Sequence, residues 1–433
     1  MYDFIIVGAG IAGLELGAML SQDGYRVLVL EQAQHVGGRA FIHEKDGFIL
    51  DNGIHLVRFG KKSAIAKVIN RIGGNIEFKR LGKSYFVDQN NDFVLFPTSP
   101  SGFFKSEMFT IAERLKALFV MLQIKMNKYK DTENLTVSDW MVNEHIQKGL
   151  KRYFSLVSGS MLVCPDIAVA SLSALMENVN KVLKTGISVE YPLHGWAKDI
   201  IEPITNKIKQ SGEIRVNSKV RSVIIENGRA TGVRLSNDNI KANNIIIDVP
   251  SQYIDEILDT GLIHNDSLKT ASNLVPTAGI SIDYALDGII SDIDGLIYFE
   301  DPLSFGCFVS SLSSNVAPRD KSLLTWFCPI VHEKMKNDAA VKGYQYRLEK
   351  KIESIFPEIK RRVIFKRVLH FDMVDGVELN INQLRQKRIN FALNEVENLY
   401  FVGDTTSAGG AGGDIAHESS IECYEEITGK TVK

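Results

Sequence analysis

Residues 2–31, YDFIIVGAGIAGLELGAMLSQDGYRVLVLE, spell out a strand, a glycine turn, a helix and a second strand. Phe4 to Val7 is a short continuous apolar run, the pattern of a parallel strand covered on both faces. Gly8, Gly10 and Gly13 form G-x-G-x-x-G: the first permits the tight turn, the second lets a pyrophosphate approach the backbone, the third lets helix and strand pack closely. The helix is predicted from about Ala12 to Leu20. Its opening N–H groups, around Ile11 and Ala12, and its positive dipole end aim at the phosphates. After a turn at Asp23-Gly24 the strand Val27–Leu30 ends in Glu31, followed by Gln32. A carboxylate there accepts hydrogen bonds from a ribose diol and repels a 2′-phosphate. A lone glycine motif is weak; here every part of a dinucleotide unit is in register.

The next segments make the reading specific. EQAQHVGGRA (31–40) supplies Gly37, Gly38 and Arg39, and DGFILDNGIHL (46–56) follows. G-x-G-x-x-G, then E-x5-GGR, then G-x3-D-x-G-x-H resembles the flavin amine oxidase and phytoene desaturase superfamily. The resemblance implies an α/β chain: a Rossmann-like FAD-binding domain with a parallel sheet and a three-stranded meander, and a second, α+β substrate domain on an antiparallel sheet. Gly37 and Gly38 allow close backbone approach, and Arg39 can bring a fixed guanidinium to the FAD phosphates. Asp51, Gly53, Ile54 and His55 are then expected on the segment passing the flavin, with His55 either a packing residue or a direct flavin or substrate contact.

Two further stretches fit the same superfamily. In 191–250 an amphipathic helix (Trp196, Ile200, Ile201, Ile204, Ile208) precedes strand-like runs, Asn227-Gly228 is a type I′ hairpin signal, and a turn at 237–239 completes a meander before Ile245–Val249 returns as a buried strand. By the resemblance Val220 takes the adenine position. His194 stands where the superfamily usually has glycine, which either argues against close backbone approach there or puts an imidazole near the flavin. ENLYFVGDTTSAGGAGGDIAHESSIECYEEI (397–427) reads as a strand ending at Gly403-Asp404, a glycine-rich loop and a helix from about Asp414. Asp404 can hold ribityl hydroxyls, and the helix start can stabilise negative charge on the reduced ring. The resemblance puts Asp404, Gly413 and Ile415 at the flavin. Asp414 either faces the ring, where its charge would oppose reduction, or caps the helix; the electrostatics favour capping.

The rest of the chain is less specific. Residues 83–95 suggest a hairpin with Tyr85, Phe86 and nearby Phe93 and Phe96; runs between Ala278 and Val331 (GISIDYAL, GLIYFED, GCFVSSL, LLTWFCPIV) suggest strands, followed by a helix near 337–355 and a strand at 362–371. Residues 104–130 are helical in pattern, with Leu115, Leu118, Phe119, Leu122 and Met126 on one face and six Lys/Arg against two Glu. That face reads as core, or as a peripheral membrane contact. The expected division is an FAD-binding domain of 1–80, 190–250 and 390–433, and a substrate domain of 81–189 and 251–389.

Composition excludes several classes. A net charge of -2 with 45% hydrophobic residues argues against a nucleic-acid binder and against disorder. Four scattered cysteines (Cys164, Cys307, Cys328, Cys423) indicate neither a disulfide framework nor a metal site. The chain enters an apolar strand at once, with no signal-peptide pattern and no apolar run of about 18 residues, so a cytoplasmic setting, at most membrane-peripheral, is expected. Ser/His/Asp, HExxH and Walker A motifs are absent. So is a second G-x-G-x-x-G, which leaves dioxygen or a quinone as electron acceptor.

The expected activity is hydride transfer between an apolar, isoprenoid- or carotenoid-like substrate and N5 of noncovalent FAD, with His55, His194 or His370 as proton acceptor. Cys423 lies too far along its helix for a flavin thioether. The alternatives are an amine or porphyrinogen oxidase, a flavin-dependent isomerase, or a non-catalytic relative.

Overall fold

Strand periodicity sorts the described residues into two seven-stranded sheets, with a two-stranded and a three-stranded sheet besides, in a mixed α/β architecture. The computed structural model describes residues 1–129, 132–186, 189–259 and 266–433. The first sheet runs in the order Glu213–Arg215, Val27–Leu30, Tyr2–Val7, Asn239–Ile247, Arg229–Arg234, Ser222–Glu226. Its parallel centre pairs Ile5 with Leu28 on one side and Ile245 on the other. Ile5, Ile6, Val29 and Ile246 are fully buried, which is why these strands read as continuous apolar runs. The first helix, Ile11–Gln22, extends slightly past both predicted ends and packs against Glu202–Ser211 and the C-terminal helix, Asp414–Thr428.

The hairpin at Asn227-Gly228 forms with both residues at positive φ (51° and 76°), as a type I′ turn requires. One expectation needs correcting. The third meander strand and the returning buried strand are a single strand, Asn239–Ile247. Its first half pairs antiparallel with Arg229–Arg234, and its second half pairs parallel with Leu399–Phe401. The amphipathic segment after Trp196 is likewise two pieces, a wide π-helical turn at Ala197–Ile201 leading into Glu202–Ser211.

The second sheet is ordered Val363–Phe371, Ala278–Leu286, Ser322–Ile330, Leu303–Phe308, Ile297–Glu300, Ser84–Val87, Phe93–Phe96. It is antiparallel except where Ile297–Glu300 meets Ser84–Val87. The tail of GCFVSSL is a helical turn, Val309–Leu312, not strand. Strand alternation divides the side chains between two faces: Ile280, Ile282, Trp326 and Cys328 pack under the helix Asp338–Ile355, while Phe305 and Phe327 face a cavity.

The 104–130 segment departs most from expectation. It is not one helix but Pro100–Lys105 and Ile111–Lys125, and the face expected to be core points outward. Ile111, Leu115, Phe119 and Leu122 are more than half exposed, while Ala117, Val120, Gln123 and Ile124 form the inner face. Lys130 lies outside the described residues. Among the described residues no helix is long and apolar enough to cross a membrane.

Candidate active site

A cavity of about 970 Å³ opens at the C-terminal ends of the parallel strands, where Val7, Leu30, Asp248 and Val402 line it, and extends to the second sheet at Tyr298, Phe305 and Phe327. Its size is at the top of the range of roughly 300–1,000 Å³ for small-molecule sites. The position is the one open α/β sheets reserve for ligands.

At one end stands the glycine turn. Gly8 has φ +102°, and a Cβ there would lie 2.3 Å from the carbonyl oxygen of Asp248. Cβ atoms on Gly10 and Gly13 would come within 2.7 and 2.5 Å of the Asp248 carboxylate. The three glycines therefore close around one residue, Gly8 on its carbonyl and Gly10 and Gly13 on its side chain. Burial pushes the Asp248 carboxyl well above the ordinary carboxylate range, and Asp404 and Glu31 add to that shift. Oδ2 of Asp248 is buried without a partner. Glu31 accepts from the N–H groups of Ala9 (2.8 Å) and Ala33 (2.7 Å), which fixes its carboxylate at the cavity wall.

Arg39 and Asp404 meet in a bidentate pair, both contacts at 2.7 Å. Arg39 also donates to the Val374 carbonyl at 3.0 Å, and Asp404 accepts from Gly376 N–H at 2.6 Å. This clamp fastens the loop after Gly37-Gly38, the 374–376 segment and the end of Leu399–Phe401. Arg39 thus lines the cavity with its fork held by Asp404. Burial alone would raise Asp404, but the Arg39 charge and hydrogen bonds hold it below the usual range. The neighbouring Asp375 is pushed up to about 6 by burial and by Asp404.

The C-terminal helix brings its first turn to the same cavity. Gly413 occupies the N-cap, so Asp414 is the first helical residue and not the cap it was expected to be. Its carboxylate forms an ion pair with Arg58 Nε at 2.9 Å, at an angle too poor for a hydrogen bond. Arg58 also donates to the carbonyls of Met161 (2.6 Å) and Ala411. His417, one turn on, lines the cavity and is held through Nδ1 by Glu15 at 2.6 Å. Trp196 lies between His417 and His55, with ring centroids 6.1 and 5.2 Å away, and donates from Nε1 to the His55 carbonyl at 2.6 Å. Burial pulls His55 down to about 4, with further contributions from His417 and Arg367, so it is neutral near pH 7.

Of the residues predicted to touch the cofactor, all but Gly13 and Ile415 line this cavity. Gly13 is spent on packing against Asp248, as its place in the motif implies. Ile415 lies in the core, leaving Asp414, Ala416 and His417 at the wall. Two proton-acceptor candidates fall away. His194 is exposed, bound to Asp199 at 3.1 Å, and His370 is exposed beside Gln345 at 3.0 Å; neither lines the cavity. His55 remains, with Nδ1 buried and unpartnered. Val220 lines the cavity from the connection preceding Ser222–Glu226.

The sequence profile of the Flavin containing amine oxidoreductase family matches residues 11–417. The chain belongs to that family. It is 28% identical over 281 residues to a prolycopene isomerase of Daucus carota, a match covering 57% of this chain and 45% of the carrot protein. It is 21% identical over 428 residues to a 4,4'-diapolycopen-4-al dehydrogenase of Metabacillus indicus, covering 84% and 82%. The chain thus spans less than half of the carrot relative. Among solved structures, an oxidoreductase from Methanosarcina mazei superposes with a TM-score of 0.83 at 20% identity over 98% of this chain and 99% of the other. Cyclohexylamine oxidase from Brevibacterium oxydans reaches 0.71 at 14% identity, over 98% and 99%.

The family's description names a flavin, and the cavity fits such a group. The glycine turn leaves a cradle in which Gly38 Cβ would come 3.2 Å from Gly10 Cα, the first helix starts there without a side-chain cap, and buried polar atoms of Asp248 and His55 stand unpartnered at the wall. Sequence reasoning missed Asp248, Asp375, Arg58, Glu15 and His417. One signal was available: Glu15 interrupts an otherwise apolar helix, and a buried carboxylate requires a partner.

Proposed function

We propose that the chain is a noncovalent FAD enzyme acting on a long apolar polyene or isoprenoid. FAD would lie along the cavity from Glu31 and Val220 to Gly413. Residues 1–80, 190–250 and 390–433 would hold the nucleotide, and residues 81–189 and 251–389 would hold the substrate. The observation that carries the substrate reading is the wall contributed by residues 80–189 and 296–327. Among the described residues its only charged side chain is Arg80, which is itself largely exposed and 3.7 Å from Glu190. An ammonium substrate would find no carboxylate on that wall, since Glu256 and Asp375, which also line the cavity, stand beside Lys219 and Asp404 at the nucleotide end; this weighs against an amine oxidase. The relatives' names, which concern carotenoids, point the same way.

When bound, FAD would supply a hydride acceptor at N5: a substrate C–H bond breaks with both electrons, a proton leaves the neighbouring carbon as C=C forms, and the electrons pass on to dioxygen or a quinone. The protein's own part is to orient and to exclude water. Tyr153, Tyr298, Phe305 and Phe327 shape the apolar chamber, and His55, neutral and facing the cavity, is the imidazole placed to accept the proton. A second reading, isomerisation of the same substrate class, is favoured by the match to the carrot isomerase.

Substrate delivery follows from the helix Ile111–Lys125. Its inner side (Ala117, Val120, Met121, Ile124) lines the chamber, and its outer side is apolar and flanked by Lys105 and Lys125. Glu113 is turned inward, capping Thr110 and accepting from Gly149 N–H. The outward surface is therefore apolar and basic, the composition that rests on an anionic lipid surface.

Purified protein is expected to be yellow and to release FAD on denaturation. Anaerobic titration with carotenoid precursors should bleach it, and bleaching by amines or porphyrinogens alone would overturn the substrate assignment. Colourless protein that takes up no added FAD would overturn the cofactor assignment.

A further inference from the structure

Glu15 stands in the middle of the first helix with no exposed surface. Its two oxygens have separate partners on the C-terminal helix: Nδ1 of His417 at 2.6 Å and the Ser420 hydroxyl, which donates at 2.8 Å. A buried ion pair of this kind is at best near break-even against an apolar pair of the same shape, so packing alone gives little reason for it. What the pair achieves is direction. With Nδ1 held by Glu15 and the ring face laid against Trp196, the opposite nitrogen, Nε2, is the one left to the cavity that His417 lines. The ring sits one turn inside the helix whose first residues, Gly413 and Asp414, form the same wall.

The charges around it are accounted for from every element that packs there. Asp414 on the same helix is paired with Arg58, and Glu418 with Lys181 at 2.9 Å. His55, beyond Trp196, is neutral. Burial would push His417 down, but the Glu15 charge and hydrogen bond outweigh it and hold the imidazole above its ordinary value. The result is an imidazole on the cavity wall, at the positive end of a helix, that the Glu15 carboxylate biases toward its protonated form.

We propose that the Glu15–His417 dyad is the charge that stabilises the two-electron-reduced flavin, with His417 as the cation facing the bound ring and Glu15 as the positioning residue. A hydride adds two electrons and one proton to the ring, leaving one net negative charge, and the helix dipole alone supplies only partial compensation. This rests on the reading that FAD occupies the cavity.

The test is the flavin midpoint potential of FAD-loaded wild type, His417→Gln and Glu15→Gln, measured by dye equilibration from about pH 6 to 8, the range in which an unassisted imidazole titrates. His417→Gln should lower the potential by about 30 mV or more, equivalent to a tenfold loss in relative stabilisation of the reduced form for a two-electron couple. Glu15→Gln should lie below wild type across this range and near the His417→Gln value, because burial without the Glu15 carboxylate disfavours the protonated imidazole. A yellow His417→Gln protein at the wild-type potential throughout that range overturns the inference while leaving the FAD reading intact. If Glu15→Gln does not fold, His417→Gln decides alone, since Gln can still hydrogen-bond Glu15. A colourless wild type overturns both.

Discussion

The two ends of the cavity are built on opposite principles. The nucleotide end is polar and over-determined: Glu31 holds two backbone N–H groups, Arg39 and Asp404 clamp three chain segments, and Gly8, Gly10 and Gly13 close on Asp248. The chamber end is apolar and nearly free of charge, shaped by Tyr153, Tyr298, Phe305 and Phe327. One end needs particular atoms at particular places, while the other needs volume and the absence of polar groups. Substitutions should therefore fail differently: at the first end they abolish flavin retention, and at the second they alter substrate handling with the flavin still in place.

The largest effect should come from Gly8→Val. The backbone there is left-handed, and the added Cβ meets the Asp248 carbonyl oxygen at 2.3 Å. Strain and clash together should remove about 3 kcal/mol or more and leave protein without flavin, as absorbance and urea midpoints would report. Retention of full flavin would break the contrast at once.

Arg39→Ala follows. It strands a buried Asp404 carboxylate with the Gly376 N–H, at about 3 kcal/mol near pH 7, the low end for a broken buried pair because the guanidinium itself is partly open. The sign with pH is definite. A carboxyl held below its ordinary value contributes stability above about pH 4, and that contribution is lost as pH falls through the lowered value. The gap between wild type and Arg39→Ala should thus narrow toward pH 3.

Asp375 should behave in the opposite sense. Its carboxyl is pushed up to about 6, so its ionisation takes stability away as pH rises from about 4 through 6. Asp375→Asn, which can still accept from Thr277, should be more stable than wild type at pH 7 by about 2 kcal/mol and indistinguishable from it near pH 4. Urea midpoints at the two pH values check this.

These residues also mark how far the sequence could be read. Gly8, Glu31, Gly37 and Asn227-Gly228 announce themselves because each answers to local backbone geometry, and the strands of both sheets because period-2 and continuous apolar runs are local patterns. Asp248, Asp375 and the Glu15–His417 pair had no such signature. Their roles depend on partners from tens to hundreds of residues away, and a contact of that kind leaves no periodicity. Ile415 and His417 show the same limit on a smaller scale: the sequence gives a helix start, but the rotation of the helix about its axis is set by tertiary packing.

At the chamber end, Phe327→Leu should leave flavin content and potential unchanged and raise KM for a polyene roughly fivefold, about 1 kcal/mol of lost contact. A loss of flavin in this variant would mean that the two ends are not separable.

The smallest effect on the fold should come from the outer side of Ile111–Lys125, where inner and outer faces repeat the contrast in a single helix. Phe119 and Leu122 are about half exposed, so Phe119→Glu combined with Leu122→Glu should change stability by no more than about 0.5 kcal/mol. If this face rests on lipid, the double variant should lose tenfold or more in co-sedimentation with anionic vesicles, and wild-type binding should weaken with salt. Turnover of substrate dissolved in detergent should be unaffected, because Val120 and Ile124, which line the chamber from the other side, are untouched. Equal vesicle binding by both proteins would mean that the outward apolar face has a different occupant, while the chamber behind it would keep its assignment.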